Sequence, residues 1–311
     1  MRSLQTYLEI LKKKGFYVCF QELRKAVQPI WITRQRGAIE RIMQERSYRY
    51  LLRHYSQVAA EPLRENSDLP QHEQTTISKH IWICWLQGED QMPDIVKKCY
   101  NSVKTFAPDY TVHLITNVNL FEYVSLPEHI VSKYRKGIIS FTHFSDILRT
   151  CLLYEHGGLW LDSTVLLTGP LPTYVTSEPI FVYRPSWLQD TRSALSSWLI
   201  AAIPHHPLTA KPRQLLFEYW KRENKLRDYY LYHLLFRIAT EKNSACRQAY
   251  MQMPYICNAA PHTMQYRIFE PYTDTLWQQI TRQSSIHKLS WKFKDEQKNI
   301  PDTIYQHVLS L

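Results

Sequence analysis

No stretch of this chain approaches the roughly 18 consecutive apolar residues of a membrane-spanning helix, and no short apolar core of a signal peptide follows the start. The expectation is a cytoplasmic protein. No CxxC pair occurs among the six cysteines, Cys19, Cys84, Cys99, Cys151, Cys246 and Cys257, and three of them sit inside apolar runs. They read as small core residues of a reducing compartment, which argues against a disulfide scaffold or a metal cluster. Glycine is scarce, seven in 311 residues, and none of it forms the GxGxxG loop of a dinucleotide dehydrogenase. A P-loop, a GxSxG elbow and an HExxH helix are also missing. The net charge is +10, yet no RRM, KH or zinc-finger pattern accompanies it, so nucleic acid is not the expected partner.

What is present is enough apolar and aromatic residue, 44% and 13%, to bury a large core. The charge is uneven: residues 1–65 hold 13 Lys/Arg against 6 Asp/Glu. From Leu4 to about Ala60 the pattern is helical and basic, with apolar stripes at Leu4, Leu8 and Leu11 and again from Phe16 to Leu23, and with Trp31 and Tyr48 among the cations. Two readings stand side by side: attachment to an anionic membrane surface through residues 1–60, or a helical hairpin packed on the domain that follows. The polar stretch Glu61–Thr76 reads as a linker, giving a basic helical region and linker over 1–76 and a larger domain over 77–311.

That larger domain opens on Ile81–Leu86, a continuous apolar run ending at Gln87-Gly88, as a central parallel strand and its turn would. Pro93 begins a helix with Ile95, Val96, Cys99, Val103 and Phe106 on one face, and Tyr110–Thr116 follows as a second strand, which completes a βαβ unit. A short helix is expected over Leu126–Lys136. Within FTHFSDILRTCLLYEHGGLWLDSTV, Ile147, Leu148, Cys151, Leu152 and Leu153 recur at helical spacing, with Ser145 placed as the cap and Gly157-Gly158 ending the helix. Leu159, Trp160 and Leu161 then form a buried strand that delivers the carboxylate of Asp162 at its C-terminal end, where open α/β sheets bind ligands. Asp146 and Arg149, three apart, share a helix face and point toward the same crevice or form a surface ion pair. Further on, Leu215–Lys221 reads as a helix and His205-His206 as a loop, since adjacent histidines make a poor bidentate metal site.

The series SDILR, YEHGGLWLDSTV, SSWLIAAIPHHPL, RDYYLYHLLF, NAAPHTMQ and IHKLSWK resembles the capsular polysaccharide synthesis glycosyltransferases. These are similar to glycosyltransferase family 32 and to the wider DXD-containing sugar transferases, which include yeast outer-chain mannosyltransferases and the large clostridial toxins. The resemblance runs from about Ser78 to Lys292. It implies a GT-A type α/β fold, a Rossmann-like mixed, mainly parallel sheet flanked by helices, with an N-terminal helical extension. It also implies retaining transfer of a sugar from a nucleotide-diphosphate donor, a UDP-sugar, to a glycan acceptor such as a lipid-linked oligosaccharide at the cytoplasmic face of a bacterial inner membrane.

The resemblance assigns roles residue by residue. Trp82, Trp85 and Gln87 become candidates for the base and its surroundings, and both tryptophans read equally as core. Asp146 and Arg149 are placed beside the donor sugar, ribose or phosphate, and Asp162 at the ribose and a metal. Lys288, Trp291 and Lys292 are placed at the diphosphate, and His287 and Ser290 at metal or phosphate. Dependence on Mn²⁺ or Mg²⁺ is expected, although the triplet Asp162-Ser163-Thr164 lacks the second carboxylate of a DXD motif. Asp228, His233 and the nearby tyrosines are candidates for the acceptor side, as well as for core packing, whereas Pro261, His262 and Gln265 match a family motif without an assigned role. Two rival readings follow: a transferase acting on a lipopolysaccharide or protein acceptor, and a catalytically silent binding or scaffold protein that keeps the fold.

Overall fold

The computed structural model describes residues 33–63, 76–186 and 193–311, together with Leu8 and Lys12. Most of the expected N-terminal stripes, from Leu4 to Trp31, and most of the expected linker therefore lie outside the described residues. The helices are α1 (Thr33–Ala60), α2 (Asp94–Phe106), α3 (Leu120–Tyr123), α4 (Glu128–Arg135), α5 (Phe141–His156), α6 (Pro207–Arg222), α7 (Leu231–Lys242), α8 (Ser244–Gln252), α9 (Ala259–Arg267), α10 (Asp274–Gln283), α11 (Asp295–Lys298) and α12 (Ile304–Ser310). The strands are β1 (His80–Cys84), β2 (Thr111–Ile115), β3 (Gly158–Leu161), β4 (Val165–Leu167), β5 (Ile180–Tyr183), β6 (Ser196–Ala202) and β7 (Ile286–Lys288).

Five strands form the central sheet in the order β2-β1-β3-β6-β5. β1 pairs parallel with β2 and β3, and β6 runs antiparallel to both of its neighbours, so four of the five strands point one way. This is the expected mixed, mainly parallel sheet. The antiparallel pair β4 and β7 forms a separate ribbon.

Period-2 alternation divides the core between the two faces of the sheet. Trp82, Trp160, Val182 and Ile200 join the cluster covered by α1, α5, α6 and α7. Ile81, Ile83, Leu159, Leu161, Phe181 and Leu199 join the other, with α2, α10, α12 and the ribbon. Helix α5 is buried along Ile147, Leu148, Cys151 and Leu152, each such side chain worth roughly 1.5–3 kcal/mol of burial. Its cap is Ser140 and not Ser145: the Ser140 hydroxyl accepts from the His143 N–H, while the Ser145 hydroxyl donates back to the Thr142 carbonyl. The helix ends at Gly157 with φ 65°. Gly158 follows at φ 92°, and a Cβ there would stand 2.4 Å from the His80 carbonyl oxygen. Only glycine lets the chain turn this closely against β1 and enter β3.

The described part of the N-terminal region packs on this body. Tyr48, Leu51, Tyr55 and Ala59 of α1 are buried in the same cluster as α6 and α7. The Lys211 ammonium donates to the Val58 and Glu61 carbonyls at 3.3 and 2.9 Å, and Asn243 donates to Ala59 and Glu61. Two buried side chains thus cap the C-terminal carbonyls of α1, where a cation also meets the negative end of the helix dipole. Helix α6 begins at Pro207, eight residues before the expected Leu215, because His206 caps it through Nδ1, which accepts from the Leu208 N–H at 3.1 Å.

Candidate active site

A cavity of about 550 Å³ opens beyond the C-terminal ends of β1 and β3. Cys84, Trp85, Leu86 and Gln87 line it from the end of β1, and Trp160, Asp162, Ser163 and Thr164 from β3 and its turn. Helix α5 supplies Phe141, Thr142, Ser145 and Arg149, the loop before α7 supplies Tyr229, and the C-terminal segment supplies Lys288, Leu289, Ser290, Trp291 and Lys292. Three cations and one carboxylate therefore face it.

Trp160 and Asp162 lie two apart on β3 and its end, hence on one face, and α5 packs on that face. That register brings Arg149 onto Asp162. The Arg149 Nη2 donates to Asp162 Oδ1 at 3.0 Å, and the Trp160 indole N–H donates to the same oxygen at 3.0 Å. Arg149 Nη1 stands 2.8 Å from Asp146 Oδ1 as an ion pair without hydrogen-bond alignment, and both side chains are nearly buried. Its guanidinium also lies over the rings of Trp160 and Tyr232, at 5.0 and 5.6 Å. This is an ionic triad, buried at Arg149 and Asp146 and open to the cavity at Asp162, and not the solvated pair that i,i+3 spacing more often means. Asp146 does not face the cavity; it stands behind Arg149 and fixes it.

Charge follows from burial and neighbours. Burial alone would raise the pKa of Asp162, but the Lys288 ammonium, the Arg149 guanidinium and the indole hydrogen bond together hold it below the usual carboxylate range. Burial pushes Asp146 up to about 6 against the pull of Arg149, with Asp162 adding to the rise. Asp162 is thus an anion at neutral pH, and Asp146 titrates close to it.

On the other wall the ribbon sets the geometry. β7 pairs with β4 in the register Lys288 opposite Val165 and His287 opposite Leu166. Lys288 therefore reaches over the turn after β3: its ammonium donates to the Thr164 hydroxyl, lies 3.4 Å from Asp162 Oδ2, and donates to the Leu289 carbonyl at 3.3 Å. His287, one residue earlier, points the other way. It is fully buried, its Nε2 is 2.9 Å from the Thr168 hydroxyl, its Nδ1 has no partner, and burial lowers its pKa to about 4. The structure does not bring His287 to the cavity, because it lies on strand β7, where successive side chains face opposite sides.

Trp82 is likewise elsewhere: it is in the core, stacked on His113 at 4.3 Å and donating to the Gly157 carbonyl at 2.8 Å. Trp85 and Gln87 do line the cavity. The Trp85 ring meets Trp291 edge-on at 5.7 Å, so the C-terminal segment closes against the end of β1. Asp228 is fully buried, its Oδ1 accepting from the Tyr230 N–H at 2.9 Å, which makes it part of the packing under α1 and not a sugar contact. His233 is not among the lining residues; its Nδ1 is buried without a partner and burial lowers its pKa to about 3. Residues missed by sequence reasoning are Trp160, Phe141 and Thr142 at the cavity and His143, whose Nε2 meets the Tyr229 carbonyl at 3.2 Å and so positions that loop. Period-2 counting back from Asp162 would have found Trp160.

The donor set does not fit Mn²⁺ or Mg²⁺. These cations take oxygen ligands, and one carboxylate with substrate phosphates can suffice. Both oxygens of Asp162 are, however, engaged by the chain's own cations and the Trp160 indole, Thr164 stands where a second carboxylate would be, His287 faces away, and Ser290 brings only a neutral hydroxyl to the cavity, one that already accepts from the Lys292 N–H. Among the described residues no group of three His, Cys, Asp or Glu side chains is placed to hold a metal ion.

A charged crevice beyond the carboxyl ends of a mixed, mainly parallel sheet is where open α/β proteins bind their ligands. The sequence pattern of the capsular polysaccharide synthesis protein family matches residues 28–308, and the chain belongs to that family. It is also similar to the O-glycosyltransferase braB of Annulohypoxylon truncatum, 33% identical over 97 residues in an alignment that covers 28% of this chain and 23% of that protein. Among solved structures it resembles the PaToxG glycosyltransferase, with 14% identity, a TM-score of 0.41, and coverage of 88% of this chain and 97% of that one.

Proposed function

We propose that this protein is a glycosyltransferase that moves a sugar from a nucleotide-diphosphate donor, a UDP-sugar, to a hydroxyl of a glycan acceptor. The observation that carries this reading is the cavity at the carboxyl ends of β1 and β3, lined by three cations and one ionised carboxylate. Such a site has a net positive field for a diphosphate and one fixed anion for ribose or sugar hydroxyls. The aromatic pair Trp85 and Trp291 offers ring surface for the base.

In the retaining reaction that the family resemblance implies, the bond from the anomeric carbon to the diphosphate oxygen breaks and its electron pair stays on the diphosphate. The acceptor oxygen bonds the same carbon from the same face, and its proton passes to the departing diphosphate. No side-chain base is needed, in keeping with Asp162 as the sole carboxylate among the lining residues. The proposed acceptor is a lipid-linked oligosaccharide or another glycan of a bacterial capsule or surface polysaccharide. Exposed Arg46, Arg49 and Arg53 on the outer face of α1 are the described part of the surface proposed to meet anionic lipid. Among the described residues no helix is long and apolar enough to cross a membrane.

The test is donor binding and hydrolysis across UDP-, GDP- and dTDP-sugars, comparing the wild type with Asp162→Ala. One donor turned over by the wild type and lost in a folded Asp162→Ala supports transfer. A folded wild type that binds no donor refutes it.

A further inference from the structure

The reason why the donor set does not suit a divalent cation is itself a structural feature. Lys288 is fixed by backbone on both sides: β7 pairs with β4, and the Leu289 N–H donates to the Thr164 carbonyl at 2.9 Å. The turn beneath it is closed by the Val165 N–H donating to the Asp162 carbonyl at 2.9 Å. The ammonium is thus held over Asp162 and Thr164.

We infer that Lys288 supplies at this site the positive charge that a divalent cation would otherwise bring, so that the donor's diphosphate is held by Lys288 and Lys292 with no metal between protein and phosphate. The inference rests on the transfer reading above. A dication at Asp162 Oδ2 would stand beside the ammonium, which is 3.4 Å from that oxygen, and would be repelled by it and by the Arg149 guanidinium 3.0 Å from Oδ1. An ammonium has three donors, and of the contacts Lys288 makes, those to Asp162 Oδ2 and the Leu289 carbonyl are long, at 3.4 and 3.3 Å. The Leu289 contact yields to a phosphate oxygen, which makes a shorter and stronger charge-assisted bond, while Asp162 keeps the second donor. Thr164 keeps the third donor and so keeps the ammonium in place. The field is already cationic without a metal, since Arg149, Lys288 and Lys292 outnumber Asp162 around the cavity. During transfer the ammonium faces the charge that develops on the departing diphosphate and costs no reorganisation at that moment.

Two measurements on the full chain decide the matter. Calorimetric titration with UDP, GDP, dTDP and ADP is run in excess EDTA and again with Mn²⁺, for the wild type, Lys288→Met and Lys288→Arg. The expected result is one nucleotide bound with the same affinity in both buffers, weakened by roughly tenfold to a hundredfold in Lys288→Met and largely kept in Lys288→Arg. Electron paramagnetic resonance of Mn²⁺ with the wild type and the bound nucleotide needs no variant. It is expected to show only the signal of Mn²⁺ free or bound to nucleotide in solution. Nucleotide binding that needs Mn²⁺, or a protein-bound Mn²⁺ signal, overturns this inference and leaves the transfer reading standing. Failure of every nucleotide in both buffers removes both.

Discussion

Arg149 is the residue on which the site's electrostatics turn. It is 5% exposed and stands between two carboxylates, so its removal leaves Asp146 and Asp162 facing each other without the charge that separates them. Breaking a buried ion group by deleting one partner costs about 3–5 kcal/mol, far more than a solvated pair at the same spacing, worth about 0.2–0.5 kcal/mol. Arg149→Ala is therefore expected to lower the free energy of unfolding by about 3–5 kcal/mol, measured by urea titration. Arg149→Lys should recover only part, since an ammonium does not span both carboxylates with a planar fork. An unchanged midpoint in Arg149→Ala would sink the buried-triad account. The spacing of Asp146 and Arg149 was legible in the sequence, but their burial was not, because it depends on Trp160 and Tyr232 arriving from other elements.

Strand β7 shows how an element assigns roles that composition leaves open. His287, Lys288, Ser290, Trp291 and Lys292 read alike as polar donors in the chain, and pairing with β4 separates them. Lys288 goes to the cavity and His287 to the core beneath the ribbon. His287→Ala is accordingly expected to destabilise the fold by about 1–3 kcal/mol by stranding the Thr168 hydroxyl, while nucleotide affinity stays unchanged. Thermal melts and calorimetry on the same variant check both halves; a folded His287→Ala that loses nucleotide binding would return His287 to the site. Helix α5 was legible in its apolar spacing, but its cap is Ser140, five residues before Ser145, since its first turn carries Thr142 and His143 in place of a regular apolar stripe.

At the scale of the molecule, burial of neutral histidines sets the response to acid. His143, His206 and His287 are buried, and burial lowers each to about 4 from an ordinary 6.5. The unfolded chain takes up their protons below about pH 6.5 and the folded chain does not until about pH 4, so stability is lost across that window as pH falls. Asp146 acts in the opposite direction: raised to about 6, it is protonated in the folded protein before the unfolded one, and acidification relieves its cost. With His233, which burial lowers to about 3, four histidines outweigh one aspartate, leaving roughly three protons bound on unfolding near pH 5, or about 4 kcal/mol per pH unit. The melting temperature is expected to fall by about 5 °C or more between pH 7 and pH 5. A melting temperature that rises would show that these imidazoles are already charged in the fold. Protonation of His206 also removes the Nδ1 acceptor that caps α6.

The sequence by itself determined the βαβ start, the turn at Gly157-Gly158 and the delivery of Asp162 at a strand end. Each of these rests on local signals, the period of apolar residues or the backbone freedom of glycine, which act within a few residues. Tertiary structure alone decided that Trp82 is core while Trp85 lines the cavity, that Asp228 packs under α1, and that Lys288 and not His287 stands over Asp162. Those choices depend on which face of a strand a helix covers and on the register of β7 against β4, more than 100 residues apart in sequence. Pairing across that distance is fixed by the packing of the whole core, and no window of residues carries it.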